Sequence, residues 1–238
     1  MKRGVVMGRK KILGVLGGMG PAASAEFMRI LARRFPAKCD QDHPVVYLLS
    51  DAPIPDRNDY LTGRGENPQT LIQADLDKLV GWGAELLAVT CNTAHCLINN
   101  FRNELKAPLI HIVEATVKSA KQAAPQGAWM VATLGTIRCG LYQDEAEKQN
   151  FRLLVPPEEI KQKIQDVVHF VKAGDMKTAG EKMSEAVREL WKIEKLPVVT
   201  ACTELPLAYD ASDLPAEMNV SSLDALADAC IEAITADC

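Results

Sequence analysis

Short apolar runs alternate along the chain with longer stretches in which apolar residues recur every three or four positions. The runs 12–16, 45–49, 85–90, 109–113, 129–134 and 198–202 are of strand length, and their continuous apolar character predicts buried strands. The stretches 21–34, 70–82, 93–105, 114–123 and 141–149 carry helical periodicity. The segment 158–195 predicts two helices broken at Ala173-Gly174-Asp175, and 222–236 predicts a last one.

Strand and helix in alternation mean an α/β architecture with mainly parallel sheets, because parallel strands need crossover connections. In such sheets ligands sit beyond the carboxyl ends of the strands. The pattern also repeats. A strand followed by Leu16-Gly17-Gly18 leads to one ending at Thr90-Cys91-Asn92-Thr93; a strand followed by Leu134-Gly135-Thr136 leads to one ending at Thr200-Ala201-Cys202-Thr203. Gly18 and Cys91 are 73 residues apart (91 − 18), and Gly135 and Cys202 are 67 apart (202 − 135). Two matches in the same order predict two related lobes, each offering one cysteine.

Composition narrows the function classes. Hydrophobic residues at 47% can fill a core, and with aromatics at 5% that core is aliphatic. A formal net charge of −4 argues against nucleic acid as a partner, since phosphate binding needs a concentrated basic face. The basic stretch from Met1 to Lys11 precedes an apolar run that Gly17-Gly18 breaks too early for a secretory signal or a membrane span. The seven cysteines lack the regular spacing of a disulfide framework, and a reducing cytoplasm is the expected setting.

The two repeated cysteines carry the clearest chemistry. Each lies between a strand pattern and a helix pattern, with Thr93 and Thr203 available as helix caps. Unpaired amides and the positive helix end are then expected to lower the thiol pKa and favour thiolate. Singly, either cysteine reads as a small buried apolar residue; as a pair they suit inversion of a stereocentre. That reaction removes a proton from one face and returns one to the other, using two groups of matched basicity.

Other residues are secondary. The turn Gly17-Gly18-Met19-Gly20-Pro21 lacks the dinucleotide spacing, but its amides can face a small anion, and Pro21 suits a first helical turn. Arg57, in a loop stiffened by Pro53 and Pro55, offers a planar fork for a carboxylate. Lys172 stands near a helix end. His95, four residues after Cys91, is expected to support the thiolate or bond nearby backbone, and Cys96 to pack inside. The cluster has no partner pair of the usual zinc type. Cys139 is expected near the pocket without an assigned role.

In the segments GVLGGMGPAAS, IPDR, TCNTAHC, TLGTIRCGLY, VKAG and ACTELP the sequence resembles the aspartate/glutamate racemase family, within it the aspartate racemase branch. The six follow one another in order over nearly the whole chain. Glutamate racemases of cell-wall synthesis, with an Asp-Ser turn at the start and a CTHYP-like second motif, look less similar. The resemblance implies two pseudo-symmetric α/β lobes of mainly parallel sheets with the active site between them. Residues 10–113 with 208–238 would form the N-terminal lobe bearing Cys91, and 114–207 the C-terminal lobe bearing Cys202. It implies a racemase needing neither metal nor pyridoxal phosphate, a small acidic amino acid as substrate, no nucleic-acid or membrane partner, and a homodimer. Cys91 and Cys202 would be the catalytic thiols. Asn92, Thr93, Thr136 and Thr203, with backbone near Met19, would hold the α-carboxylate and amino group; Arg57 and Lys172 would grip the distal carboxylate.

Three positions depart from the family pattern: Ala201 for a usual glycine, Cys139 for a common serine, and Ser24 for a common threonine. They bear on substrate range more than on reaction type. Outside an aspartate-specific enzyme, a broader racemase or related isomerase or decarboxylase is separated by substitution of Arg57. A pyridoxal enzyme with Lys172 as its Schiff base is separated by an absorbance spectrum. A non-catalytic binder of acidic metabolites is separated by ligand-dependent melting without turnover.

Overall fold

A computed structural model describes residues 9–236 of the chain. The basic stretch opening at Met1 lies outside them as far as Gly8, as does Cys238. Two four-stranded parallel sheets form the framework. The first contains β1 (Leu13–Gly17), β2 (Val46–Ser50), β3 (Leu86–Val89) and β4 (Leu109–Ile110), in the order β2-β1-β3-β4. The second contains β5 (Ala128–Val131), β6 (Leu153–Leu154), β7 (Val198–Thr200) and β8 (Asn219–Ser221), in the order β6-β5-β7-β8. The orders are the same with the numbering advanced by four, so the repeat predicted from the sequence is a repeat of topology.

The helices follow in chain order: α1 (Pro21–Arg34), α2 (Arg57–Leu61), α3 (Gln69–Gly81), α4 (His95–Ile98), α5 (Ile112–Ala123), α6 (Leu134–Cys139), α7 (Leu141–Lys148), α8 (Glu158–Lys172), α9 (Met176–Ile193), α10 (Leu205–Asp210) and α11 (Ser222–Thr235). α1 starts with Pro21 in its first turn and ends on Arg33 and Arg34, both favourable to a helix at those ends. α8 and α9 are separated by Gly174 at φ +81°, and Asp175 caps α9 through the Thr178 amide. Among the described residues no helix is long and apolar enough to cross a membrane.

Parallel sheets are covered on both faces, and three apolar clusters do this here. One packs α3 and α4 on the outer face of the first sheet, with Leu76, Leu79 and Ile98 fully buried. Another packs α8, α9 and α10 on the second. The third joins the lobes: Leu13, Val15 and Phe27 share it with Met130, Tyr142, Leu223 and Leu226. Here α11 packs against both α1 and α5. The two lobes therefore share a continuous core.

Several expectations need correction. β2 is an edge strand, and Leu48 within it and Val45 just before it are exposed. β4 stops at Ile110 because α5 begins at Ile112 and carries Val113 into the core. The helix expected over 93–105 is only α4 and a 3-10 turn at Arg102–Glu104, separated by the exposed Asn99 and Asn100. Of the segment 208–238, the described residues, to 236, do not sit in the first lobe alone: β8 pairs with β7 in the second sheet, while α11 spans the inter-lobe core.

Candidate active site

β3 and β7 occupy equivalent places in the two sheets, and each is followed within two residues by a cysteine. Cys91 and Cys202 are thereby delivered from opposite lobes to the carboxyl ends of the strands, where α/β sheets bind ligands. Both are buried, and both line one inner cavity of about 20 Å³. This cavity meets an outer vestibule of about 520 Å³, and Met19, Asp56, Arg57, Lys172 and Glu204 line both spaces.

The expected helix caps are not caps. Residues 91–94 form a turn ahead of α4, and α10 starts only at Leu205. Thr93 instead reaches across the cleft, its Oγ1 2.8 Å from Thr136 Oγ1 and 3.1 Å from Thr133 Oγ1. Thr203 also crosses it, donating to the Thr90 carbonyl at 3.2 Å. These hydroxyls tie the lobes together at the level of the thiols.

The expected fall in thiol pKa also fails for Cys202. Burial pushes its thiol well above the ordinary range, and the charge of Glu204, the hydrogen bond to it and the nearby Cys91 act the same way. Cys202 Sγ donates to Glu204 Oε2 at 3.0 Å. The same carboxylate accepts from the Gly20 amide at 3.1 Å, and Thr203 Oγ1, whose one proton it shares with the Thr90 carbonyl, lies 3.2 Å away. Of the glycine-turn amides, one therefore faces Glu204; that of Gly18 donates to Ser24 Oγ. On the other side, His95 is buried and neutral because burial holds its pKa well below the usual value. Its Nδ1 donates to the Cys91 carbonyl at 2.8 Å, fixing the turn that carries the thiol.

Arg57 is buried, and each of its terminal nitrogens holds main-chain oxygen. Nη1 donates to the Ile54 and Pro55 carbonyls and Nη2 to that of Met19, each at 3.1 Å. Its Nε has no protein partner. Lys172, the last residue of α8, lies 3.1 Å from Asp56 Oδ2. Burial opposes the charge on Lys172, but Asp56 and Glu204 outweigh it and its pKa is raised. Burial likewise opposes the charge on Asp56, and Lys172 with the α2 amides outweighs it, so that carboxyl lies below its usual value.

Of the residues singled out from the sequence, Met19, Arg57, Asn92, Thr93, Lys172 and Thr203 line the inner cavity with both cysteines. Thr136 is fully buried behind Thr93 and is not part of the wall; Thr133 is. The Asn92 side chain is engaged, donating to Ser222 Oγ at 3.0 Å and accepting from the Tyr142 hydroxyl at 2.6 Å. Asp56, Asn58, Thr133 and Glu204 were not anticipated, although Asp56, Thr133 and Glu204 lie inside three of the segments that carry the resemblance. Cys96 and Cys139 are not a packed thiol and an open one: they form a disulfide joining α4 to α6 across the cleft.

A family model described as Asp/Glu/Hydantoin racemase matches residues 16–232. The chain is 27% identical to an aspartate racemase of Picrophilus torridus, whose structure superposes with a TM-score of 0.81 over 94% of each chain. It is 25% identical over 210 residues to the broad specificity amino-acid racemase RacX of Bacillus subtilis (strain 168), covering 86% of this chain and 91% of that protein. The glutamate racemase isoform RacE1 of Bacillus anthracis shares the fold, with a TM-score of 0.68 at 16% identity over 92% of this chain and 79% of that one.

Proposed function

The chain belongs to the Asp/Glu/hydantoin racemase family, and on that premise we propose that it is a cofactor-independent isomerase interconverting L- and D-aspartate, with Cys91 and Cys202 as its two bases. The observation that carries this reading is the placement of two buried cysteines, from equivalent strand ends of two lobes, on one small cavity. A substrate α-carbon between them has one sulfur on each face. One thiolate takes the α-proton, the opposite thiol returns a proton to the other face, and the roles exchange with direction.

The surroundings favour an unequal resting pair. Cys202, buried and facing a carboxylate, is held as the thiol and is the proton donor when Cys91 acts as base. In the reverse direction Cys202 is the thiolate and Cys91 the thiol, the state that a forward turnover leaves behind, and the hydrogen bond from Cys202 to Glu204, 3.0 Å away, is given up. The hydroxyls of Thr93 and Thr133, which line the inner cavity, are donors for the α-carboxylate and for the charge that develops on it. Lys172 is placed for a distal carboxylate, and Arg57 shapes the wall by fixing the Met19 carbonyl.

The vestibule favours a second reading, a racemase of broader range. Its volume of about 520 Å³ exceeds what aspartate fills, and Pro21, Ala22, Ala52, Ile54 and Val171 give it apolar walls.

Chiral chromatography of L-aspartate, with reductant and no added cofactor, tests the reaction; glutamate and neutral amino acids then separate the two ranges. Cys91→Ala and Cys202→Ala should each abolish racemisation, while exchange of the α-proton with deuterated solvent survives for one enantiomer. Full racemisation by either variant would exclude the two-thiol mechanism.

A further inference from the structure

We propose that Asp56 sets the substrate preference of the cleft: its carboxylate holds Lys172 in the place of a substrate's side-chain carboxylate, and the pair is a latch that an acidic substrate opens by exchange. The inference rests on the racemase reading of this site and deepens it.

Asp56 comes from the first lobe and Lys172 from the second, so their 3.1 Å contact spans the cleft where the inner cavity meets the vestibule. Asp56 is the fixed member. Its Oδ1 accepts from the Asn58 amide at 2.7 Å and the Asp59 amide at 3.1 Å, capping α2, while Oδ2 faces Lys172. Lys172 is the movable one, a point charge on a four-carbon stem. Arg57 has both terminal nitrogens on main-chain carbonyls. Among the described residues lining the two spaces, Lys172 is the cation held by a carboxylate, the partner that an acidic ligand can replace in kind.

The charges make the exchange selective. Arg57 and Lys172 face Asp56 and Glu204, so two positive groups meet two negative ones before any ligand arrives. An entering side-chain carboxylate is a third negative group, and it gains Lys172 only by taking it from Asp56. An isosteric amide adds no charge and leaves the pair closed. Asp56 thus penalises acidic side chains relative to neutral ones, narrowing a preference that Lys172 alone would make large.

The substitution Asp56→Asn removes the charge and keeps an oxygen to cap α2. Calorimetric titration of the whole protein with succinate and with its monoamide, succinamate, reads the latch without turnover. Succinate should bind about tenfold more tightly to Asp56→Asn than to the wild type, with succinamate within about twofold. In a Lys172→Met background the Asp56→Asn gain should disappear. Unchanged or weaker succinate binding, or a gain that persists without Lys172, would overturn the latch. In catalysis, the kcat/KM ratio of aspartate to asparagine should rise about tenfold, mainly through KM. A wild type that racemises no amino acid would dismiss the racemase reading, while the succinate titrations still decide for or against the latch.

Discussion

Cys202 Sγ donates to Glu204 Oε2 across 3.0 Å, two residues further along the same turn. One carboxylate thus takes the thiol hydrogen bond, the Gly20 amide from the opposite lobe and the Thr203 hydroxyl. This joins the reactivity of the second cysteine to the shape of the first glycine turn, although Gly20 and Glu204 are 184 positions apart in the chain.

Glu204→Gln should therefore change the thiol before it changes the fold. With the carboxylate gone, a neighbour that raises the Cys202 pKa is lost and the new amide can donate to sulfur, so the thiol pKa falls. Alkylation of Cys202 by iodoacetamide, followed on its peptide by mass spectrometry, should begin at lower pH than in the wild type. Racemisation should fall about 100-fold in kcat, because Cys202 is then less firmly held as the thiol that returns the proton. An alkylation profile identical to wild type would show that Glu204 does not govern this sulfur.

Much of the framework was legible because it is written locally. Pro21, the apolar period and the closing arginines define α1 as observed, and Gly174 separates α8 from α9. The spacing of Gly18, Cys91, Gly135 and Cys202 anticipates a topology that repeats. β6 and β8 were not legible: the run Leu153-Leu154-Val155 is cut short by Pro156, and Asn219-Val220-Ser221 holds a single apolar residue. Asp56 and Lys172 meet over a separation of 116 residues, which no local period encodes. Thr93 was misread as a cap because its true partners, Thr133 and Thr136, belong to the other lobe. The pairing of Cys96 with Cys139 was hidden in the same way, as a cysteine count does not fix connectivity.

That disulfide closes a span of 43 residues across the cleft. In the chain-entropy account, a loop of this length contributes about 4 kcal/mol, and strain or residual structure reduces it. A phosphine reductant should lower the melting temperature by about 5–10 °C. Cys96→Ser should melt at the lower temperature with or without reductant. If the wild type does not respond, the bond contributes nothing to stability.

The Asp56–Lys172 pair gives stability a defined pH window. The Asp56 pKa is depressed, so its contribution is present above the unfolded value of about 3.9 and fades as pH falls through the folded one. The Lys172 pKa is raised, so its contribution is present below the unfolded value of about 10.4 and fades as pH rises through the folded one. Both side chains are more than a third exposed, which limits the pair to about 0.5 kcal/mol. Denaturant melts of Lys172→Met should show this deficit at pH 7 and lose it at about pH 3 and pH 11. A deficit constant across pH would point to packing of the lysine stem.

Gly18 is the position where the first turn tolerates no side chain. Its φ of +89° is one that L residues rarely adopt, and a Cβ there would lie 2.4 Å from the main-chain carbon of Asp51. The obstacle is backbone, so a rotamer change cannot relieve it. Gly18→Ala must move either the loop at Asp51 or the turn itself, at a cost of about 2–4 kcal/mol. The turn carries Met19, whose carbonyl holds Arg57, and Gly20, whose amide holds Glu204. Stability and turnover should therefore fall together, the second because Glu204 loses its partner and Cys202 its fixed neighbour. The control is Gly63→Ala: Gly63 also has a positive φ, of +82°, but a Cβ there meets nothing within 4 Å. That variant should lose about 1 kcal/mol of stability and keep its turnover. If Gly18→Ala lost stability while its kcat stayed at the wild-type value, the turn would be a structural element without influence on the thiol opposite.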